Sequence, residues 1–435
     1  LQTHGMDEVL LEDNLSVIAI VGEGMKQNPG TSGRMFHALG KNGINIRAIA
    51  QGSSELNISA VVRQTDTAKA LNVLHEAFFL SDNRTLSLFM VGTGLIGKSL
   101  IEMINTQSQI LNTDHHLEVV INGLANSRQM LLSGTNKSIS RADLDERGES
   151  MRMTSFVEQM ITLNLPNSIF IDCTSSEEVT DFYQVILSAN ISIVTPNKKA
   201  NTGSLSKYKS LRQASARRGV KFLYETNVGA GLPVISTLND LLLSGDRIIR
   251  IEAVLSGTMN FIFSSFGEGD SFSRIVAEAR LKGYTEPDPR DDLNGMDVAR
   301  KLLILARECG MDMEIGQIEV ESIVPPDCRG IEKVDEFMEV FQKYDSEFTA
   351  RQKDAAKRNE RLRYMAVLEE GKAKVQLNSV GQTHPFYSLA GSDNIILLTT
   401  ERYHERPMVI RGPGAGASVT AAGVFADIIR IGNYV

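Results

Sequence analysis

The sequence predicts an α/β protein centred on a doubly wound parallel sheet, with an α+β domain after it and a small β-α-β-β-α module before it. Three patterns carry that expectation. From Thr85 onward apolar runs alternate with amphipathic stretches, as strands joined by crossover helices do. After Val234 strand-like runs occur among long helical ones instead. Ahead of Thr85, short alternating segments flank two amphipathic helices. At 435 residues the chain exceeds what one hydrophobic core organises, so two or three domains are expected.

The elements follow in order. Residues 1–14 read as a linker, and LSVIAIVG (15–22) as a strand. SGRMFHALGKNG (32–43) places Met35, Phe36 and Leu39 on one helical face and stops at Gly43. INIRAIA (44–50) and ELNISAVV (55–62) alternate as strands across a QGSS turn, and TAKALNVLHEAFF (67–79) is a second helix. The first unit is therefore 15–81. A second unit, 84–225, opens with strand, glycine turn and helix (85–104), and adds strands at 116–127, 168–176 and 188–200. The third unit, 226–409, includes a long helical stretch over 334–367. RGPGAGASVTAAGVFADIIRI (411–431) is again glycine turn plus helix, so 410–435 is expected to rejoin the second unit.

Composition removes several function classes. A net charge of -8 gives no basic face for nucleic acid. No apolar run approaches the roughly 20 residues that span a bilayer. Cys173, Cys309 and Cys328 are few, odd in number and far apart, which fits reduced thiols in the cytoplasm. The seven histidines show no zinc spacing.

The turn Gly92-Thr93-Gly94-Leu95-Ile96-Gly97 follows a strand and opens a helix, the context in which GxGxxG binds a dinucleotide pyrophosphate. The sheet is thus expected to be of the Rossmann type. The second strand ends in Ala125-Asn126-Ser127-Arg128, without the carboxylate that binds a ribose 2′-hydroxyl. Ser127 and Arg128 suit a 2′-phosphate, favouring NADP while leaving NAD compatible. Arg128 as a plain surface charge is the competing reading.

The densest chemistry lies in 283–301, where Glu286, Asp292, Asp297 and Lys301 follow two prolines. Asn294 is expected to cap the helix, with Asp297 and Lys301 as i,i+4 neighbours. Lys198, in Thr195-Pro196-Asn197-Lys198-Lys199, sits where a strand of the sheet ends, the usual place for ligands. Either lysine serves as an acid/base if partly desolvated; an exposed ion pair is the plain alternative. The small-residue run after Glu225 leaves carbonyls beside one carboxylate, a hard-oxygen setting for a cation or merely a hinge. Ser256-Gly257-Thr258 offers N–H groups to a substrate, or is only a turn.

Together GTGLIG, TPNKKA, YETNVGAGLP, SGTMN, GYTEPDPRDDLNGMDVARK and GPGAGASVTAAG resemble the homoserine dehydrogenase family over about 84–435. The resemblance implies NAD(P)-dependent interconversion of L-homoserine and L-aspartate 4-semialdehyde. It implies Lys301 and Lys198 as acid/base candidates with Lys301 ranked slightly first. Glu286, Asp292, Asp297, Gly257 and Thr258 would meet the substrate. Thr174, Lys198, Gly414 and Gly416 would join the glycine turn and Ser127–Arg128 at the cofactor. Glu225, Val228, Ala230 and Leu232 would surround a sodium ion, and the 226–409 domain would also dimerise the chain, as a homodimer or higher oligomer. Residues 15–81 resemble an ACT domain, the ferredoxin-like amino-acid-sensing module, placed as in bifunctional aspartokinase–homoserine dehydrogenases. Asn45 and Gln51 become effector candidates for threonine, and Leu1 is expected to be a fragment start with the kinase half removed. Two other classes compete. One is a regulatory module binding amino acid and nucleotide with little turnover. The other is a semialdehyde dehydrogenase, which would need Cys173 as an activated nucleophile.

Overall fold

The computed structural model describes residues 11–23, 25, 28–52, 56–78, 84–135 and 137–434, with the side chain of Glu76 excepted. Most of the expected 1–14 linker, part of the QGSS turn and Phe79 lie outside those residues.

The N-terminal unit runs β1 (Leu15–Val21), α1 (Thr31–Lys41), β2 (Ala48–Gln51), β3 (Asn57–Arg63) and α2 (Thr67–Phe78). Its antiparallel sheet has the order β1-β3-β2, and both helices cover one face over Ile18, Met35, Leu39, Ile58, Ala60 and Leu74. The strand expected at 44–50 forms only from Ala48, because Ile44 turns into the core at the end of α1. Among the described residues this sheet has three strands, so the last strand of a β-α-β-β-α-β unit is not part of it. The module docks through polar side chains. Asn164 donates to Asp66 at 3.2 Å and accepts from Lys69 at 3.0 Å, while Asn42 accepts from the Asn167 N–H.

The second unit comprises β4 (Arg84–Val91), α3 (Leu95–His115), β5 (Leu117–Ala125), β6 (Gln129–Leu132), α4 (Arg141–Arg147), β7 (Glu149–Ser150) and α5 (Met153–Leu163). It continues with β8 (Ser168–Asp172), α6 (Glu177–Thr180), α7 (Tyr183–Ser188), β9 (Ser192–Val194), α8 (Lys199–Thr202), α9 (Leu205–Arg218) and β10 (Phe222–Leu223). The sheet order is β10-β9-β8-β4-β5-β6-β7. It is parallel from β10 to β5, while β6 and β7 add an antiparallel edge. Connections leave β4 in opposite directions toward β5 and β8, which opens a crevice at their carboxyl ends. Near-continuous apolar strands are what a sheet covered on both faces requires.

The third unit is α10 (Ile235–Leu243), β11 (Ile248–Val254), α11 (Gly257–Ser265), α12 (Phe272–Leu281), α13 (Arg290–Leu293), α14 (Met296–Glu308) and β12 (Glu319–Val320). There follow α15 (Val334–Phe341), α16 (Asp345–Lys357), β13 (Arg361–Glu369), β14 (Lys372–Val380), β15 (Asp393–Thr400) and β16 (Met408–Pro413). The helix expected over 334–367 therefore stops at Lys357. From Arg361 the chain alternates between two apolar layers, Tyr364, Ala366 and Leu368 facing the helices and Met365 facing the opposite side. The six strands pair as β12-β14-β13-β11-β15-β16. Because β16 pairs with β15 as far as Pro413, the chain leaves this sheet three residues after the expected boundary at 410.

The last helix, α17 (Ala417–Gly432), lays Ala421, Val424, Ile428 and Ile431 against the α3 layer of the second unit. No helix among the described residues is long and apolar enough to cross a membrane.

On the open face of the third sheet Arg363 is 1% exposed. Its guanidinium donates to the carbonyls of Leu362, Phe386, Tyr387 and Leu389 at 2.8–3.0 Å, strapping the β14–β15 loop to β13. Burial, reinforced by Arg361, pushes this guanidinium down to about 10. Arg363→Met leaves those loop carbonyls without donors, and should cost about 2–4 kcal/mol in urea unfolding. Unchanged stability would mean that water or backbone replaces every bond.

Candidate active site

Each glycine of the turn after β4 has a separate reason. Gly92 has φ +97°, and a Cβ there would lie 2.8 Å from the Cys173 carbonyl. A Cβ on Gly97 would overlap the Gly92 carbonyl oxygen, so α3 can approach β4 only with glycine there. Gly94, which precedes the first turn of α3, has open space where its Cβ would be. The N-terminal N–H groups of α3 are thus free to receive an anion.

A cavity of about 870 Å³ lies over this turn, lined among others by Gly92, Thr93, Gly94, Ser127, Arg128 and Thr174. Asn126 fixes the far wall by accepting the N–H groups of Arg128 and Gln129 at 2.7 and 2.8 Å. Arg141, at the start of α4, lines the same cavity; no sequence pattern marked it, since it reads as one more charge on a surface helix. The expected contacts Leu95, Ile96, Gly97, Lys198, Gly414 and Gly416 are not on this wall. Leu95 is 81% exposed, and Ile96, in the first turn of α3, packs against the apolar layer beneath that helix. Gly414 lies against Asn394, and Gly416 leads into α17.

The lysines meet at one carboxylate. Lys301 Nζ donates to Asp297 Oδ2 at 2.8 Å and to the Leu255 carbonyl at 2.6 Å. Lys198 Nζ reaches Asp297 Oδ1 at 3.0 Å from the other domain. Burial favours a neutral Asp297, yet Lys301 and Lys198 outweigh it and hold the carboxyl well below the usual range. Burial also pushes the Lys198 ammonium down; Asp297 opposes that shift and Lys301 adds to it. Asp292 accepts the Glu286 N–H at 2.8 Å, and burial raises its carboxyl, with Glu286 and Asp297 acting in the same sense. Glu286 is exposed, while Thr258 donates to the Tyr284 carbonyl at 2.5 Å beside it. Gly257 opens α11, where a Cβ would press on the Ser392 carbonyl.

The helix cap differs from expectation. Gly295, with φ +77°, precedes Met296, and Asn294 instead accepts the Met296 N–H at 2.8 Å. Only glycine avoids a clash here, because the Tyr364 hydroxyl fills the place of a Cβ.

The Glu225 carboxylate is already fully engaged by the protein. Its Oε1 accepts from Ile235 N at 2.6 Å and Ser236 N at 3.3 Å. Its Oε2 accepts from Ser236 N at 3.0 Å and Arg430 Nη1 at 2.8 Å. Those donors fill the roughly four acceptor positions of a carboxylate. The main-chain oxygens of Glu225, Val228, Ala230 and Leu232 remain, with Glu225 O accepting from Val228 N and Leu232 O from Val234 N. No cluster of three metal-ligating side chains occurs among the described residues.

Cys173 is no activated nucleophile: burial, with Asp172 beside it, pushes its thiol up. The deeper polar layer under the site was not foreseen. Asp172 at the end of β8, Thr195 and Asn197 after β9, and Tyr183 at the start of α7 are all buried. The one available signal was an acid closing the buried strand SIFID.

The glycine turn, the crevice at the sheet's switch point and the paired lysines define a nicotinamide-dependent dehydrogenase. Comparison with known proteins agrees. Residues 233–429 match the family model "Homoserine dehydrogenase", 92–225 match "Homoserine dehydrogenase, NAD binding domain", and 18–78 match "ACT domain". The chain belongs to the homoserine dehydrogenase family, as an NAD(P)-dependent enzyme with an ACT domain ahead of the dehydrogenase. It is 43% identical over 439 residues to a chloroplastic bifunctional aspartokinase/homoserine dehydrogenase 2 of Arabidopsis thaliana, covering 100% of this chain and 48% of that one. The bifunctional enzyme of Haemophilus influenzae is 43% identical over 432 residues, covering 99% and 53%. The chain thus spans about half the length of these relatives. A Candida auris protein of unknown function superposes with TM-score 0.74 at 35% identity, over 80% of this chain and 98% of that one. A hyperthermophilic archaeal homoserine dehydrogenase in complex with NADPH gives TM-score 0.62 at 24% identity, over 81% and 99%, which speaks for the fold.

Gly97→Ala should weaken nicotinamide cofactor binding by about tenfold or more, read by fluorescence titration, because the turn cannot keep its shape. Wild-type affinity would remove this turn from the cofactor site.

Proposed function

We propose that the chain interconverts L-homoserine and L-aspartate 4-semialdehyde by hydride transfer, with NADP preferred over NAD. The observation that carries this reading is the Lys198–Asp297–Lys301 triplet, assembled from two domains. The bound nicotinamide supplies the hydride-accepting carbon. The chain's own residues handle the hydroxyl proton and hold the substrate. Lys301 donates to both Asp297 and the Leu255 carbonyl, whereas burial pushes the Lys198 ammonium down. On that ground Lys198, ranked second from sequence, takes the proton and Lys301 orients the hydroxyl. Glu286 and Asp292 bind the substrate ammonium, with Asp297, Gly257 and Thr258 around the hydroxyl end.

Arg128 and Arg141 support NADP, since both line the cavity and neither forms an ion pair among the described residues. A 2′-phosphate supplies the missing partner. The sodium expectation narrows to the main-chain oxygens of Glu225, Val228, Ala230 and Leu232, and no step uses it. In the ACT module Asn45 is exposed, and Gln51 accepts from Ser32 at 3.3 Å; threonine is the proposed effector there. We further place the chain as the dehydrogenase part of a bifunctional enzyme, working as a homodimer or higher oligomer in a reducing compartment such as the cytoplasm. No observation favours a regulatory module without turnover.

NADPH oxidation dependent on aspartate semialdehyde is the direct test; no turnover with either NADPH or NADH would sink the reading. Arg128→Ala and Arg141→Ala should each raise the KM for NADPH by about tenfold or more, and leave that for NADH nearly unchanged. Equal effects on both cofactors would refute the 2′-phosphate assignment. Lys198→Ala should lower kcat by about a hundredfold or more. Homoserine oxidation in the wild type should rise with pH until Lys198 is neutral, and the reverse reduction should fall through the same limb. In Asp297→Asn the carboxylate that favours charged Lys198 is gone, so the residual limb should lie at lower pH. A limb that stays put would remove Lys198 from the role.

A further inference from the structure

Asp172 ends β8 with 0% exposure, and its carboxylate is held by neutral donors alone. Oδ1 accepts the Thr174 N–H at 2.7 Å. Oδ2 accepts the Tyr183 hydroxyl at 2.7 Å and Asn197 Nδ2 at 2.9 Å. Its main-chain oxygen accepts Thr195 Oγ1 at 2.9 Å, and that hydroxyl in turn accepts the Asn197 N–H at 2.9 Å. Asn197 Nδ2 also reaches the Ser176 carbonyl at 2.7 Å, closing the circuit between the two loops.

An uncompensated buried carboxylate is costly, and a neutral side chain could join two loops more cheaply. What a carboxylate alone offers is acceptance on both oxygens at once, one per loop. On one side lies the loop carrying Thr174, on the cofactor cavity wall. On the other lies the turn whose next residue is Lys198. Hydride and proton leave the same substrate carbon–oxygen unit, so the angle between these loops sets whether both transfers are aligned.

We propose that Asp172 is a positioning residue for the hydride transfer, locking the Thr174 loop and the Asn197–Lys198 turn in one fixed relation. The inference rests on the reading of Thr174 as a cofactor contact and Lys198 as the acid/base. An asparagine at 172 has a single acceptor oxygen. The Thr174 N–H cannot turn away, whereas the Tyr183 hydroxyl can rotate to accept, so that oxygen stays with Thr174. Asn197 then faces a second amide donor, and the lysine turn is released.

The test compares purified Asp172→Asn, Asn197→Ala, their double variant and Asp172→Ala with the wild type, by NADPH titration and steady-state kinetics with aspartate semialdehyde. Asp172→Asn and Asn197→Ala should each lower kcat by about tenfold or more, with the NADPH Kd moved by less than about threefold. The double variant should lose no more than Asn197→Ala alone, because that variant already removes the Asp172 link along with the Ser176 one. Asp172→Ala should in addition weaken NADPH binding by about tenfold. Folded single variants with wild-type kcat overturn the proposal, as do losses that simply add in the double variant. Asn197→Ala keeps the test open should neither Asp172 variant fold. Absence of turnover in the wild type itself would instead count against the reaction assigned above.

Discussion

Asp297 holds the two halves of the catalytic apparatus together, because the ammonium groups facing its two oxygens come from different domains. Lys198 arrives on the turn after β9, and Lys301 one turn further along the helix that carries Asp297 itself. Neither lysine could approach the other this closely without the carboxylate between them. The two lysines differ in their surroundings. One also donates to a carbonyl, and burial pushes the ammonium of the other down. The geometry therefore exists only when the nucleotide domain and the α+β domain are docked in one relation.

The surrounding structure supplies that relation by polar bracing. The Asp172 network sets the lysine turn against the cofactor loop, and the Glu225–Arg430 pair ties the interdomain loop to α17. Buried groups of this kind are tolerated because every charged oxygen finds its donors. The ACT module, in contrast, rests on the nucleotide domain through a few side-chain contacts of its own, with a separate apolar core. Its core is therefore built separately from that of the dehydrogenase.

Much of this was legible in the residues. Strand–helix alternation and the glycine turn located the doubly wound sheet, because buried parallel strands and a tight phosphate turn each impose a local pattern. The i,i+4 pairing of Asp297 with Lys301 was readable from helical periodicity alone. The contact of Lys198 with the same carboxylate was not, since it joins positions about a hundred residues apart in different domains. Asn294 looked like a helix cap by residue type, but Tyr364 needed space at the next position, and Gly295 took the turn. Residues 334–367 looked helical throughout because α16 ends without a proline or glycine; sheet pairing with β11 and β14 claimed the last part. Arg141 and Arg363 carried no local signal, as their roles depend on a cavity wall and on a distant loop.

The return of α17 has a consequence for how the molecule is made. The apolar layer beside α3 is finished by Ala421, Val424, Ile428 and Ile431, residues that leave the ribosome long after the strands they cover. Until they emerge, the face of β4, β5 and β8 that α3 shares with α17 lacks part of its cover while the whole α+β domain is being synthesised between the two parts. The inserted domain can collapse around its own helices and sheet in that interval, whereas the nucleotide domain keeps an unfinished apolar layer. That layer is open to premature pairing or chaperone capture until the last helix arrives.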